Sequence, residues 1–236
     1  MTAEALFRDG RLAEAIDVLG AELRSNPTEA RRRTFLFELL CFSGQFDRAE
    51  KQLDVLAAAG REAAMGTLLY RSALHAERTR QEMFRTGALP LGDPPPVAGT
   101  LNGAPFAALR DADPRIGARL EVYAAGEYVW IPFAHIDTLR LSPPKRLRDL
   151  LWSPAVVRTG PEFTGMELGE VLVPALSPGA AAHADDAVRL GRVTEWVDLA
   201  DGASAPVGQK LLLVDDTEFP FLEVRELDVT RPDPGA

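Results

Sequence analysis

The densest run of candidate cation ligands is Asp215-Asp216-Thr217-Glu218. Hard cations take oxygen ligands, and three carboxylates in four residues could supply them. The run also lies between two strand-like segments, where Asp is favoured because it bonds its own backbone and tolerates left-handed φ, so a hairpin turn is the reading. Asp111-Ala112-Asp113 invites the same metal assignment, but Pro114 follows and a turn is again expected. His75, His135 and His183 fall in a helix, at a strand entrance and in a loop; no pair has metal-ligand spacing. Ser142-Pro143-Pro144-Lys145 fits a Ser-x-x-Lys pattern, yet the prolines forbid the helix on which serine and lysine would face each other. Cys41, the single cysteine, sits in an apolar helix, can form no internal disulfide and reads as buried packing. The chain has no Gly-rich phosphate loop, Gly-x-Ser-x-Gly elbow or Cys-x-x-Cys pair. No metal and no cofactor are expected. The enzyme that would survive these objections is a metal-dependent hydrolase built on Asp215, Asp216 and His135; its rivals are a binding module and a structural subunit that assembles with itself.

The elements that carry these residues divide the chain in two. The turn Ser43-Gly44-Gln45-Phe46 has a counterpart 34 residues upstream, Asp9-Gly10-Arg11-Leu12, and the correspondence continues through Ala15 with Ala49 and Leu19 with Leu53. A 34-residue period with glycine at the turn is the mark of tetratricopeptide repeats. Glycine takes positive φ where the first helix ends, the large apolar residue two places on wedges between the helices, and alanine lets two backbones approach. Asn26-Pro27 ends the second helix. The repeats are degenerate, since Arg33 and Phe37 replace the aromatic and the glycine of the pattern. Helices are expected at 3–9, 11–25, 28–43, 46–59 and about 61–84.

From 87 to 103 the composition changes: Pro90, Pro94, Pro95 and Pro96 favour extended chain, with Leu89, Leu91, Val97 and Leu101 laid against a surface. Beyond it the period becomes strand-like. A hairpin is expected at 119–132, strands at 136–141, 154–159, 166–174, 187–198, 209–215 and 220–227, and one short helix at 145–152. The fold class is α+β: a tetratricopeptide-like helical domain at 1–86, a Pro-rich linker at 87–103, a mainly antiparallel β domain (a sheet or a small open barrel) at 104–229, and a frayed tail at 230–236. Trp130, Trp152 and Trp196 all fall in the β domain and are read as core.

Charge and hydropathy narrow the function further. The net charge is −9, and all of the excess lies after residue 86, where 22 acids face 13 bases. Such a surface repels phosphate, so no nucleic acid partner is expected. Arg31-Arg32-Arg33 point about 100° apart on a helix and cannot form one compact anion site. No apolar run approaches the roughly 18 residues of a membrane span. The first residues lack the pattern of a signal peptide, so a cytoplasmic protein is expected.

The second half also carries a series of distinctive segments: Leu-Asn-Gly-Ala-Pro-Phe at 101–106, Asp-Ala-Asp-Pro-Arg at 111–115 and Leu-Glu-Val at 120–122. Gly-Glu-Tyr-Val-Trp-Ile-Pro-Phe at 126–133, Arg-Asp-Leu-Leu-Trp-Ser-Pro-Ala at 148–155, Gly-Glu-Val-Leu-Val-Pro at 169–174 and Leu-Gly-Arg-Val-Thr-Glu-Trp at 190–196 follow. Their order and spacing resemble the ImpE (SciE, TagJ) family of accessory proteins encoded with bacterial type VI secretion systems. The resemblance implies a cytoplasmic, non-catalytic protein whose helical part binds an N-terminal helix of the small contractile-sheath subunit, TssB, and connects the sheath with the ClpV ATPase. Counting back from Gly10 and Gly44 in the repeat places Glu4, Phe7 and Arg8, then Arg31, Thr34, Glu38 and Phe42, on the concave face. Met65, Leu68 and Ser72 extend it along the helix expected at about 61–84. These ten residues are the expected partner-binding groove, sized for one amphipathic helix.

Overall fold

Five helices open the chain, and local chemistry sets most of their ends. In the computed structural model, which describes residues 1–164 and 168–230, α1 (Ala3–Arg8) is capped by the Thr2 hydroxyl, which accepts from the Ala5 N–H. The next helix, α2 (Leu12–Ser25), stops before Asn26-Pro27. The Glu29 carboxylate caps α3 (Ala30–Phe42), accepting from the Arg31 and Arg32 N–H groups, which have no acceptor within the helix. After α4 (Phe46–Ala57) comes α5 (Arg61–Thr86), 26 residues long and closed by Gly87 in the left-handed region. Gly10 and Gly44, the two turn glycines, have φ of +77° and +69°, the conformation for which the repeat keeps glycine. Ala15 and Ala49, five residues later in each repeat, are fully buried.

Strands follow: β1 (Ala98–Leu101), β2 (Ala104–Phe106), β3 (Leu109–Asp111), β4 (Arg119–Ala124), β5 (Glu127–Pro132), β6 (Ile136–Leu141), β7 (Trp152–Thr159) and β8 (Gly169–Pro174). A short α6 (Asp186–Arg189) precedes β9 (Glu195–Asp198), β10 (Ser204–Val207), β11 (Leu211–Val214), β12 (Thr217–Pro220) and β13 (Glu226–Thr230). Eight strands form one open antiparallel sheet in the order β2-β1-β13-β6-β7-β8-β4-β5; β12-β11-β3 make a second sheet and β9-β10 a separate hairpin. The expected α+β class holds, in its open-sheet form.

Several finer expectations change. The stretch read as linker contains β1, paired with β13, and Arg119 ties the preceding prolines to the sheet by donating to the carbonyls of Leu91 and Gly92. Of its apolar residues, Val97 and Leu101 are buried but Leu91 is 97% exposed. The helix expected at 145–152 is one 3-10 turn, Leu147–Leu150, because Trp152 already belongs to β7. The segment read as a strand at 187–198 begins as α6: the Asp185 carboxylate accepts from the Ala187 N–H, a helix start, and the strand waits until Glu195. A 3-10 turn at Phe221–Glu223 breaks the strand expected at 220–227 into β12 and β13. Thr230 closes β13; Met166 and the remaining tail, 231–236, lie outside the described residues.

Close approach explains one more glycine. A Cβ built on Gly99 in β1 would lie 2.1 Å from the Asp228 carbonyl oxygen and 3.0 Å from the Phe106 ring. Gly99→Ala must therefore push β1 away from β13 at a cost of about 2 kcal/mol. A fall of about 4–8 °C in melting temperature is expected for a chain of this size, and an unchanged melt would show that the strands separate freely.

Helices and sheet share one core. Leu39, Leu40 and Phe42 of α3 lie in the same apolar cluster as Tyr123, Trp152, Leu176, Ala180 and Leu190. A second cluster fills the other face of the sheet, from Leu109 and Leu120 to Leu212 and Leu227.

Candidate functional site

The concave face expected to receive a partner helix is closed by the chain itself along α1 and α3. Phe42 is 0% exposed. Glu38 is buried, and its carboxylate accepts from the Arg148 guanidinium at 2.6 Å; burial raises its pKa and Arg148 partly offsets the rise. Arg148 also donates to the Tyr70 hydroxyl at 2.6 Å and stacks on that ring. Arg192 lies over the Phe7 ring and donates to the carbonyls of Phe7 and Arg8 at the C-terminal end of α1, where the Phe7 carbonyl also accepts from the Gly10 N–H. The Asp186 carboxylate accepts from the Ala13 N–H at the start of α2. Thr34 donates back to the Ala30 carbonyl, while Glu4, Arg8 and Arg31 remain exposed at the margins. The groove forecast for α1 and α3 is thus occupied by residues 147–152 and 176–192, whose own apolar side chains need a helical surface to bury on.

The face of α5 is different. Met65, Leu68 and Leu69 of α5 are 65%, 59% and 53% exposed, and Ser72 leads from them into an open cleft of about 620 Å³. Its walls are α5, the Ala125-Gly126 turn, the 143–149 loop and the faces of β7 and β8. Gly126 packs directly on Ser72, which marks where the sheet begins to cover the helix. The lining is chiefly apolar (Leu69, Tyr123, Val156, Leu172), and its charged members are Arg140, Lys145, Arg146 and Arg148 with Asp149 and Glu170.

Under the far half of α5 lies a buried ionic network that the sequence reading did not find. Arg80, 1% exposed, donates Nε to Glu121 Oε1 at 2.8 Å and Nη2 to Oε2 at 3.1 Å and to the Leu176 carbonyl at 3.0 Å. Lys210, 2% exposed, pairs with Asp111 at 2.6 Å and with Glu121. Tyr128 also donates to Glu121, while Glu77 accepts from the Tyr123 hydroxyl and, at 3.2 Å, from the Trp152 indole. Two cations thus meet three acids, all hydrogen-bonded, joining α5 to β3, β4 and the residue that leads into β11. Burial pushes Asp111 up to about 6 despite Lys210. Burial acts the same way on Glu121, but Arg80 and Lys210 together outweigh it and hold the carboxyl at about 2.

The two shifts act on stability in opposite senses. Asp111, raised, contributes stability that is complete below its usual pKa of 3.8 and lost as pH rises through about 6. Glu121, lowered, contributes above 4.5 and loses its contribution as pH falls toward 2. Comparing urea unfolding of wild type with Asp111→Asn isolates the first. Relative to the variant, the wild type is expected to lose about 2–3 kcal/mol between pH 4 and pH 7. A difference constant over that range would mean that Asp111 titrates normally.

The remaining chemical candidates have structural occupations. Asp215 and Asp216 take left-handed φ in the β11–β12 turn. Asp215 Oδ1 accepts from the Ala107 and Ala108 N–H groups, and Asp216 pairs with Arg110 at 3.0 Å. Asp113 is ion-paired to Arg115 at 2.6 Å. Among the described residues no group of three or more His, Cys, Asp and Glu side chains gathers as metal ligands. Cys41 is buried, and burial raises its thiol well above the usual range. Trp152 is core and Trp130 stacks on Phe84, but Trp196, read as core, is 44% exposed on β9, its indole donating to Glu218. No helix among the described residues is long and apolar enough to cross a membrane.

Comparison with known proteins agrees with this architecture. A tetratricopeptide repeat model matches residues 6–71, and the ImpE protein family model matches residues 103–228. A relative from Pseudomonas aeruginosa, named type VI secretion system accessory component TagJ, is 36% identical, covering 97% of this chain and 91% of its own. The crystal structure of protein VPA1032 from Vibrio parahaemolyticus superposes with a TM-score of 0.85 at 23% identity over 98% of both chains, so the two share a fold. The order of segments in the second half, the repeat in the first and a relative aligned along nearly the whole length agree: this chain belongs to the ImpE family.

Proposed function

We propose that this protein is a cytoplasmic, non-catalytic accessory component of a bacterial type VI secretion system. It acts as an adaptor that binds the N-terminal helix of the small sheath subunit, TssB, and so connects the sheath with the ClpV ATPase. The relative named as such a component is the basis for the system, because the alignment spans both chains almost entirely. The observation that carries the adaptor role is the bare apolar face of α5, where three large side chains are left to solvent beside an open cleft. Monomeric proteins seldom leave such a stripe without a partner. The acids that could ligate a metal, Asp113, Asp215 and Asp216, are by contrast engaged in structural ion pairs and turns.

Titration of the purified full-length protein with a labelled peptide of the sheath subunit's N-terminal helix, taken from the same genome, tests the reading. Saturable binding with a Kd of tens of micromolar or tighter is expected. A folded protein that gives no binding there would overturn it.

A further inference from the structure

We propose that the open face of α5 and the adjoining cleft, rather than the concave face along α1 and α3, take the partner, and that the occupant is one amphipathic helix with acidic residues on the flank nearest residues 143–146. This rests on the adaptor reading and adds the site and the charge of what it binds.

Repeat geometry supplies the first argument. In a helical array each element buries the face that its neighbour leaves open. Here α5 packs on α4 and, through its second half, on β5, but the described residues leave Met65, Leu68 and Leu69 more than half exposed. Their spacing of three and four residues makes one stripe, the footprint of a helix laid alongside. The stripe continues through Ser72 onto the sheet face at Val156, which is 40% exposed. From Arg61 to Ser72 the open stretch spans about 17 Å, room for about three helical turns of a partner.

Charge supplies the second. In a chain of net charge −9, this cleft carries Arg140, Lys145, Arg146 and Arg148 against Asp149 and Glu170, with the bases gathered at the 140–148 side and Glu170 across the sheet face beside Val156. Arg140 is taken by Glu226 and Arg148 by Glu38, but among the described residues neither the Lys145 nor the Arg146 side chain has an acidic partner. A helix with carboxylates on the flank beside Lys145 and Arg146 gains both, whereas a basic flank there would meet like charge.

The test uses the full-length protein, with the TssB N-terminal peptide as probe. Two variants alter only solvent-facing atoms: Leu68→Glu, and the pair Lys145→Glu with Arg146→Glu. Arg31→Glu, at the edge of the occupied face, is the comparison. Leu68→Glu is expected to weaken binding by about 10-fold or more. The charge pair should weaken it by about 5-fold and flatten its salt dependence, and a peptide with its acids converted to amides should lose sensitivity to that pair. Arg31→Glu should stay within about 2-fold, and all variants should melt as the wild type does. A peptide that binds the wild type, Leu68→Glu and the charge pair equally overturns this site while leaving the adaptor reading intact. Failure to bind the wild type overturns the adaptor reading itself. Binding to anionic vesicles with the same dependence on Lys145 and Arg146 would overturn the choice of a protein helix.

Discussion

Replacing Arg80 with methionine is expected to lower the unfolding free energy by about 3–5 kcal/mol, the usual cost of removing one partner from a buried ionic group. The substitution preserves most of the aliphatic volume, so packing loss is secondary. What changes is charge: among the described residues Glu121 and Asp111 keep only Lys210 as a cation partner, and Glu77 keeps none. Glu121, held at about 2 by Arg80 and Lys210 together, must then rise toward protonation, and the Leu176 carbonyl loses its donor. Urea unfolding followed by tryptophan fluorescence checks the value. A loss below about 1 kcal/mol would mean that water or a side-chain shift replaces the guanidinium. Adding Glu121→Met to Arg80→Met should recover part of the loss, because the orphaned charge goes with it.

This network also shows where sequence reading stops. The helices, both turn glycines and the hairpin 119–132 were legible because local periodicity and turn chemistry decide them. Arg80 was not, since it stands in a polar run, Glu77-Arg78-Thr79-Arg80, that looks like a solvated helix face. Glu121 alternates with Leu120 and Val122 and reads as the wet side of a strand, yet all six residues of β4 are buried because α5 lies over that side. One signal was present: a 26-residue helix whose second half is polar needs a polar surface to lie on. The groove failed for a related reason. A repeat predicts where its concave face is, but whether 147–152 and 176–192 fill that face depends on contacts more than 100 residues apart. Met65 and Leu68 entered the expected groove only by extending the repeat one helix further, and they are exposed because α5 is the last helix of the array.

Trp152→Ala should cost a similar amount, about 3–5 kcal/mol, at the joint between the two halves. The indole is 3% exposed, lies 6.4 Å from the Phe37 ring and donates to Glu77. Truncation leaves a cavity between α3 and β7 and takes one donor from a buried carboxylate. Trp152→Phe separates the two effects: with most of the volume kept, the missing N–H alone should cost about 1–2 kcal/mol. Equal losses for both variants, read by calorimetry, would place the whole effect in the hydrogen bond and none in packing.

The Arg192 clamp on α1 has a consequence for how the molecule is made. Its two hydrogen bonds join residues 184 and 185 positions apart, and the Asp186 carboxylate holds the start of α2 across 173. A ribosome that has released the first two helices has yet to make the residues that tie them down. Closing such long loops is slow, so the nascent N-terminal helices must wait, apolar face bare, until nearly the whole chain has emerged.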